Sequence, residues 1–391
     1  FKGDLYQLLY RRNHLARLLS SPVSNNADIL ILTAGFGEGH NSAAVNLHRA
    51  LEPHAATLCA DPCALGAPFL NERIRSFYLG VTTHAPWLWR RIYLSTEKQD
   101  FSKDRLPMMR KPENKLHELI IQHRPQVIVS TYPLYPYFLE RIFQNKQLKV
   151  PVVTIVTDSI EINAAWRKAP TDYWLVTDQR TREALTRQGL PETRIIETGF
   201  PVHPHFADLT PVTAEDGLTP FRILYFPTPK KPHVRRVSRE LLESAGKHTT
   251  LTIVLGRNTR KLYSRAREIK DAFPGRVTIK GWSKKVPELL NNHHLVVGKA
   301  GGATVHESLA AACPMLIHHL VPGQEEGNLD LLRHLNGGHL ADTPGALSVH
   351  LREMLADDAS VWRAMKRNLT RNARPSAAHT AANFILSRLH E

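Results

Sequence analysis

Residues 295–328 read LVVGKAGGATVHESLAAACPMLIHHLVPGQEEGN. The apolar run 295–298 leads into Gly301-Gly302, and a short helical pattern follows, with Val305, Leu309 and Ala312 on one stripe. A second apolar run, 314–320, ends in the polar loop Pro322-Gly323-Gln324-Glu325-Glu326-Gly327-Asn328. That order is strand, glycine turn, helix, strand, polar loop. In an open parallel sheet, ligands sit at the carboxyl ends of strands, so both loops are expected to line one pocket. The glycines let backbone approach a ligand, and a helix start offers free N–H groups to an anion. Gln324, Glu325 and Asn328 bring amides and a carboxylate, which suit hydroxyls better than phosphate. A diphosphate beside a polyol is a nucleotide-sugar, and this is the ligand class the stretch predicts.

Upstream, 221–226, 251–255 and 277–279 read as strands, with helices near 235–246, 260–272 and 286–291. Downstream, 357–390 reads as helical. The segment 207–220, ADLTPVTAEDGLTP, is polar and rich in turn formers, and it reads as a linker. A separate N-terminal domain precedes it. Residues 28–34 form a buried strand, followed by Gly35-Phe36-Gly37-Glu38-Gly39-His40 and a helix over 41–51. The spacing GxGxGH is not the dinucleotide fingerprint. His40 falls at a helix N-terminus, which lowers an imidazole's pKa and leaves it able to accept a proton near pH 7. The competing reading is a histidine that only caps or packs. Strands at 126–130, 152–157, 173–176 and 195–200 alternate with helices at 113–123, 136–145 and 179–188, a βαβ rhythm. Thr131-Tyr132-Pro133 and Asp158 follow two of these strands.

Two stretches point elsewhere. Residues 4–19 form a basic amphipathic helical pattern that either packs on the domain or lies on an anionic membrane. Residues 63–111 combine Phe69, Phe77, Tyr78, Trp87, Trp89, Tyr93 and Phe101 with nine basic and four acidic residues, Arg90 and Arg91 among them. Rings flanked by cations suit a lipid–water interface. The alternative is core aromatics under solvated arginines.

At 391 residues, with 42% hydrophobic and 22% charged content, two globular domains are expected. No run of 18 apolar residues or secretory pattern stands in the chain, which begins at Phe1 and reads as trimmed. Three cysteines suggest a reducing compartment; Cys59 and Cys63 read as buried thiols or as a metal or redox pair. The net charge of +15 implies an anionic partner. No zinc-finger, RNP-type or basic helix-turn-helix signal appears, so nucleic acid is not expected, and no HExxH spacing supports a metal.

Taken together, the motifs resemble one family, the monogalactosyldiacylglycerol synthase and processive diacylglycerol glucosyltransferase group of glycosyltransferase family 28. They are GFGEGHNSAA (35–44), RSFYLGVTTHAPWLWRRIY (75–93), RPQVIVSTYP (124–133), VVTIVTD (152–158), IIETGFPV (195–202), VLGRN (254–258), KGW (280–282), GGATVHESLAAACP (301–314) and PGQEEGN (322–328). The resemblance implies an α/β GT-B fold, with two Rossmann-like domains facing across a cleft. An acceptor and membrane-side domain would cover 1–206, a nucleotide-sugar donor domain 221–372, and a C-terminal helix, 373–391, would return to the first. It implies inverting transfer of a hexose from a UDP-sugar to a lipid hydroxyl, without cofactor or metal. The enzyme would be cytoplasmic and peripheral on an anionic inner membrane face.

By motif position, His40 matches the general base and Glu307 the acid that binds the ribose. Thr304-x-x-Glu307 is also a capping box, and both roles can hold. Gln324 and Glu325 match sugar-hydroxyl contacts, with Asn328 nearby, and Gly301 and Gly302 match the diphosphate turn. Lys280, Gly281 and Trp282 match the segment under the base, and Gly256, Arg257 and Asn258 complete the donor set. Gly37, Gly39, Trp87, Trp89, Arg90, Arg91, Pro133, Asp158 and Asn163 fall on the acceptor and membrane side. Two departures stand out. The family's glycine-rich phosphate loop is replaced by Pro227-Thr228-Pro229-Lys230-Lys231-Pro232, where either Lys230, Lys231 or Thr228 substitutes for it or the corner does not hold phosphate. Asn163 stands where relatives commonly carry a histidine shortly before the tryptophan, here Trp166. A UDP-sugar 2-epimerase and a non-catalytic nucleotide-sugar or lipid-binding relative remain open alternatives.

Overall fold

The computed structural model describes residues 26–99, 101, 107–229 and 231–389. The helix predicted at 4–19 lies outside them. Two compact units emerge: Phe1–Pro201 with Ala377–Glu391, and Val202–Ser376.

In unit one, β1 (Ile29–Leu32), β2 (Thr57–Ala60), β3 (Val127–Ser130), β4 (Val152–Ile155), β5 (Tyr173–Val176) and β6 (Ile195–Glu197) form one sheet, ordered β2-β1-β3-β4-β5-β6. Every pairing is parallel, with Ile29 opposite both Thr57 and Val127. β1, β3 and β4 are buried along their whole length, which is why they read as mainly apolar stretches, with Ser130 and Thr154 the polar residues in them. β2 escapes a sequence reading because its four residues, Thr-Leu-Cys-Ala, carry no distinctive pattern. The helix Ala377–Leu386 lays Ala378, Ala381, Ala382 and Ile385 on the same core as Ile29, Ile31, Leu47 and Ile155. Its small residues let it pack closely on the helix Glu38–Leu51.

In unit two, β7 (Phe221–Tyr225), β8 (Thr249–Val254), β9 (Val277–Lys280), β10 (Leu295–Lys299), β11 (Met315–His319) and β12 (Gly338–Leu340) form a second parallel sheet, ordered β12-β11-β10-β7-β8-β9. Residues 207–220 are not a free linker. Val212 and Ala214 are buried, Val212 joins the core of unit two, and its N–H donates to the Asn291 carbonyl at 3.0 Å. Apolar side chains at two positions outweigh the turn-forming composition around them. The tail predicted as helical over 357–390 divides between the helices Ala346–Asn372 and Ala377–Leu386. The helix Ala346–Asn372 breaks at Ala356–Ala359, where Asp357, Asp358 and Ala359 take left-handed φ of 49°, 54° and 56°.

Each strand order reverses once, between β1 and β3 in unit one and between β7 and β10 in unit two. Carboxyl ends of strands at such a reversal diverge and leave a crevice. The loops holding His40 and the Gly301-Gly302 turn both open there.

Candidate functional site

In unit one, the glycine turn is held by buried polar contacts. Asp61, in the loop after β2, accepts the Gly35 N–H at 3.0 Å and the Ala64 N–H at 2.9 Å, so it also caps the helix Pro62–Gly66. The fully buried Tyr135 hydroxyl lies 3.2 Å from Asp61 Oδ1 and donates to the Thr33 carbonyl at 3.0 Å. Burial raises the Asp61 pKa, opposed by the Ala64, Gly35, Tyr135 and Cys63 hydrogen bonds. Nothing in the local sequence marks Asp61; only the fold brings it to the turn.

His40 lies in the first turn of the helix Glu38–Leu51, which starts three residues before its predicted position. Thr131, just past β3, donates its hydroxyl to the His40 carbonyl at 3.1 Å. Thr157, just past β4, places its hydroxyl 3.1 Å from His40 Nδ1. The ring meets Tyr132 edge-on at 5.3 Å and Trp166 at 5.9 Å. The His40 pKa falls to about 4 because burial disfavours the cation, and a backbone hydrogen bond to Thr131 partly opposes this. Burial, rather than the helix terminus, is the main cause. The imidazole is neutral at pH 7 either way.

The neighbouring residues expected on the acceptor side have defined places. Gly37 is the residue before the helix, and Gly39 faces open space. Pro133 lies in the turn between β3 and the helix Tyr135–Lys146. Asp158 accepts the Trp166 indole N–H at 2.8 Å. Asn163 is buried, and both ends of its side chain are bonded within the chain. Its oxygen accepts the Ala165 N–H at 2.9 Å, and its amide donates to Thr96 Oγ1 at 3.0 Å. Glu97 adds an Arg167 ion pair of 2.7 Å and accepts the Ala164 N–H at 2.9 Å. These bonds tie the helix Pro86–Thr96 to the loop after β4.

That helix buries none of its residues, and Pro68–His84 buries only Val81 and Thr82. Phe69 is 87% exposed, Trp87 65% and Phe77 57%. Arg90 and Arg91 are exposed beside Trp87, whereas Trp89 turns inward and meets Tyr78 edge-on at 4.8 Å. The two neighbouring helices thus expose three aromatic rings to solvent.

In unit two, the turn after β10 and the loop after β11 are joined by two buried side chains. Glu325 accepts the Val321 N–H at 3.0 Å and pairs with Lys299 at 2.8 Å. Asn328 donates to the Ala300 carbonyl at 3.0 Å, while its own oxygen is buried without a partner. Gly301 is close to both charges: a Cβ there would stand 3.1 Å from Lys299 Cε and 3.5 Å from Glu325 Oε1. Gly302 starts the helix Gly302–Ala310, with Gly301 before it and no side-chain cap. Thr304 lies inside the helix, so the predicted capping box with Glu307 is absent. Glycines at the start let the helix begin without a side-chain acceptor. Glu307 is half-buried, and burial pushes its pKa up to about 8.

The loops after β8 and β9 are also tied together. The Gly256 N–H donates to the Gly281 carbonyl at 3.3 Å, and Thr259 Oγ1 donates to the Gly256 carbonyl at 2.9 Å. Arg257 is exposed, Asn258 precedes the helix Thr259–Ala272, and Trp282 presents a half-exposed ring. Gln324 is half-buried on the loop after β11. In the loop after β7, Thr228 is buried with its hydroxyl 3.4 Å from His233 Nδ1. Among the described residues, no group of three His, Cys, Asp or Glu side chains could hold a metal ion, and all three cysteines are free and buried.

Comparison with known proteins agrees with this arrangement. Residues 40–202 match the family model described as monogalactosyldiacylglycerol (MGDG) synthase. The processive diacylglycerol beta-glucosyltransferase of Bacillus licheniformis is 24% identical over 357 residues, covering 89% of this chain and 91% of that protein. Its Bacillus subtilis counterpart is 23% identical, with 89% and 91% covered. Among solved structures, Acinetobacter baumannii MurG superposes with TM-score 0.61 at 12% identity, covering 92% of this chain and 99% of that one. The UDP-GlcNAc 2-epimerase of Neisseria meningitidis gives 0.57 at 11%, covering 92% and 99%. These structural likenesses speak for the fold alone. With the two parallel-sheet units, they show a GT-B fold, and the chain is similar, over 40–202 and in the order of its motifs, to the monogalactosyldiacylglycerol synthase and processive diacylglycerol glucosyltransferase group.

Proposed function

We propose that the protein transfers a hexose from a UDP-sugar to the hydroxyl of a diacylglycerol-type lipid, with inversion at the anomeric carbon. The observation that carries this reading is the His40 environment. A neutral imidazole is fixed at the β1/β3 reversal, with Thr157 on its Nδ1 and two aromatic rings around it. It accepts the hydroxyl proton as the oxygen attacks the anomeric carbon opposite the diphosphate. Unit two supplies the donor set. Glu307 takes the ribose, Trp282 the base, the Gly301-Gly302 turn the diphosphate, and Gln324 the sugar hydroxyls. The helix start at Gly302 offers N–H groups to the departing charge. No cofactor is required.

The exposed Phe69, Phe77 and Trp87, with Arg90 and Arg91, support peripheral docking on an anionic membrane, on its cytoplasmic face. Among the described residues, no helix is long and apolar enough to cross a membrane. The test is a panel of UDP-sugars with diacylglycerol-containing vesicles, with products identified by mass. A glycolipid formed by the wild type and lost in His40→Ala supports the proposal. Sugar epimerisation without lipid would favour the epimerase reading, and absence of turnover with every donor would leave a binding protein.

A further inference from the structure

We propose that Lys299 is the cation that holds the donor's diphosphate, taking over from the glycine loop that this chain lacks after β7. The inference rests on the UDP-sugar reading above. Lys299 is the last residue of β10 and directly precedes the Ala300-Gly301-Gly302 turn. The pairing of β10 with β11 shifts register between Gly298 and Lys299. A bulge at a strand end re-aims the side chain that follows it, and here the side chain folds over the turn. A Cβ at Gly301 would stand 3.1 Å from Lys299 Cε and 3.3 Å from Nζ, so only glycine leaves the ammonium this place without a shift.

The ammonium is accessible and held. The Lys299 side chain is 51% exposed, whereas its partner Glu325 is 7% exposed, at 2.8 Å. Glu325 is itself fixed by the Val321 N–H at 3.0 Å. One charge is thus buried in the scaffold, and the other is presented at the turn. An ammonium suits a diphosphate as a mobile point charge with three donors. Meanwhile the loop after β7 runs Phe226-Pro227-Thr228-Pro229, whose two prolines have no N–H to offer. The negative charge that other chains could place on backbone N–H groups there needs a cation, and Lys299 stands beside the adjoining turn. On this reading Glu325 is a positioning residue that aims Lys299.

The test compares UDP with uridine by calorimetry on wild type, Lys299→Arg, Lys299→Met and the double variant Lys299→Met/Glu325→Gln. In wild type, UDP is expected to bind tighter than uridine. In Lys299→Met that preference should fall by about ten- to a hundredfold, with uridine affinity unchanged. Lys299→Arg should keep most of it. If Lys299→Met unfolds because Glu325 is left unpaired, the double variant carries the same expectation without the buried charge. A preference for UDP that survives in Lys299→Met or the double variant overturns the inference and leaves the donor reading standing. Wild-type protein that binds neither uridine nor UDP overturns both.

Discussion

Replacing Glu307 by glutamine should stabilise the free protein, and by an amount that grows with pH. The carboxyl is half-buried on the helix Gly302–Ala310, and burial raises its pKa from 4.5 to about 8. Below pH 4.5 it is protonated in folded and unfolded chains alike, so the substitution changes little. Between 4.5 and 8 the unfolded chain releases its proton while the folded one keeps it. Stability therefore falls as pH rises through that window, and the loss is complete above the folded value. The shift from 4.5 to about 8, at about 1.4 kcal/mol per unit, sets a ceiling of about 5 kcal/mol. Water at the exposed edge of the carboxyl screens part of this, leaving about 1–3 kcal/mol. Glutamine keeps the shape and has nothing to ionise. Urea unfolding at pH 5 and pH 8.5 reads the difference: the variant should gain little at pH 5 and about 1–3 kcal/mol at pH 8.5. Equal differences at both pH values, or a variant less stable at pH 8.5, would refute the burial argument. The same carboxyl links stability to function. If ribose hydroxyls donate to the ionised form, UDP affinity in wild type should rise as pH passes 8, and this rise should vanish in Glu307→Gln.

Further expectations follow from the other side chains. His40→Ala should cut lipid glycosylation by about 10²–10⁴-fold while UDP affinity stays unchanged. Because the imidazole titrates at about 4, kcat in wild type at saturating UDP-sugar should not fall between pH 7 and pH 5.5; an acid limb near 6.5 would show that burial does not hold the His40 pKa down. Asp61→Ala strips the acceptor from the Gly35 and Ala64 N–H groups, so it should cost about 2–4 kcal/mol in chemical denaturation; a loss under 1 kcal/mol would deny it a role in holding the turn. Trp87→Ala and Phe69→Ala should leave the melting temperature within about a degree, because both rings are exposed, yet each should weaken binding to anionic vesicles about tenfold. Unchanged vesicle binding in the double variant would refute a membrane role for that face.

Much of this molecule is written locally in its chain. Parallel strands buried on both faces are mainly apolar, so β1, β3, β4 and β10 read directly as stretches rich in Ile, Val and Leu. The strand-turn-helix units announce themselves through glycines, and their order carries the family resemblance. His40, Glu307 and the 322–328 loop were visible because they flank such turns. Other features depend on contacts between distant residues. β2 and β12 are too short to show a period, and only pairing with β1 and β11 makes them strands. Residues 207–220 look like a linker by composition, and burial of Val212 overrides that. The helix start at Gly302 removes the capping box that Thr304 and Glu307 spell out. Asp61, Thr157 and Lys299, which take part in holding the site, were silent for the same reason. Asp61 reaches Gly35 across 26 residues, Thr157 reaches His40 across 117, and Glu325 reaches Lys299 across 26. The chain alone names the groups that carry charge and protons. Which of them share a hydrogen bond, and which of their pKa values move, is decided only when the fold buries them together.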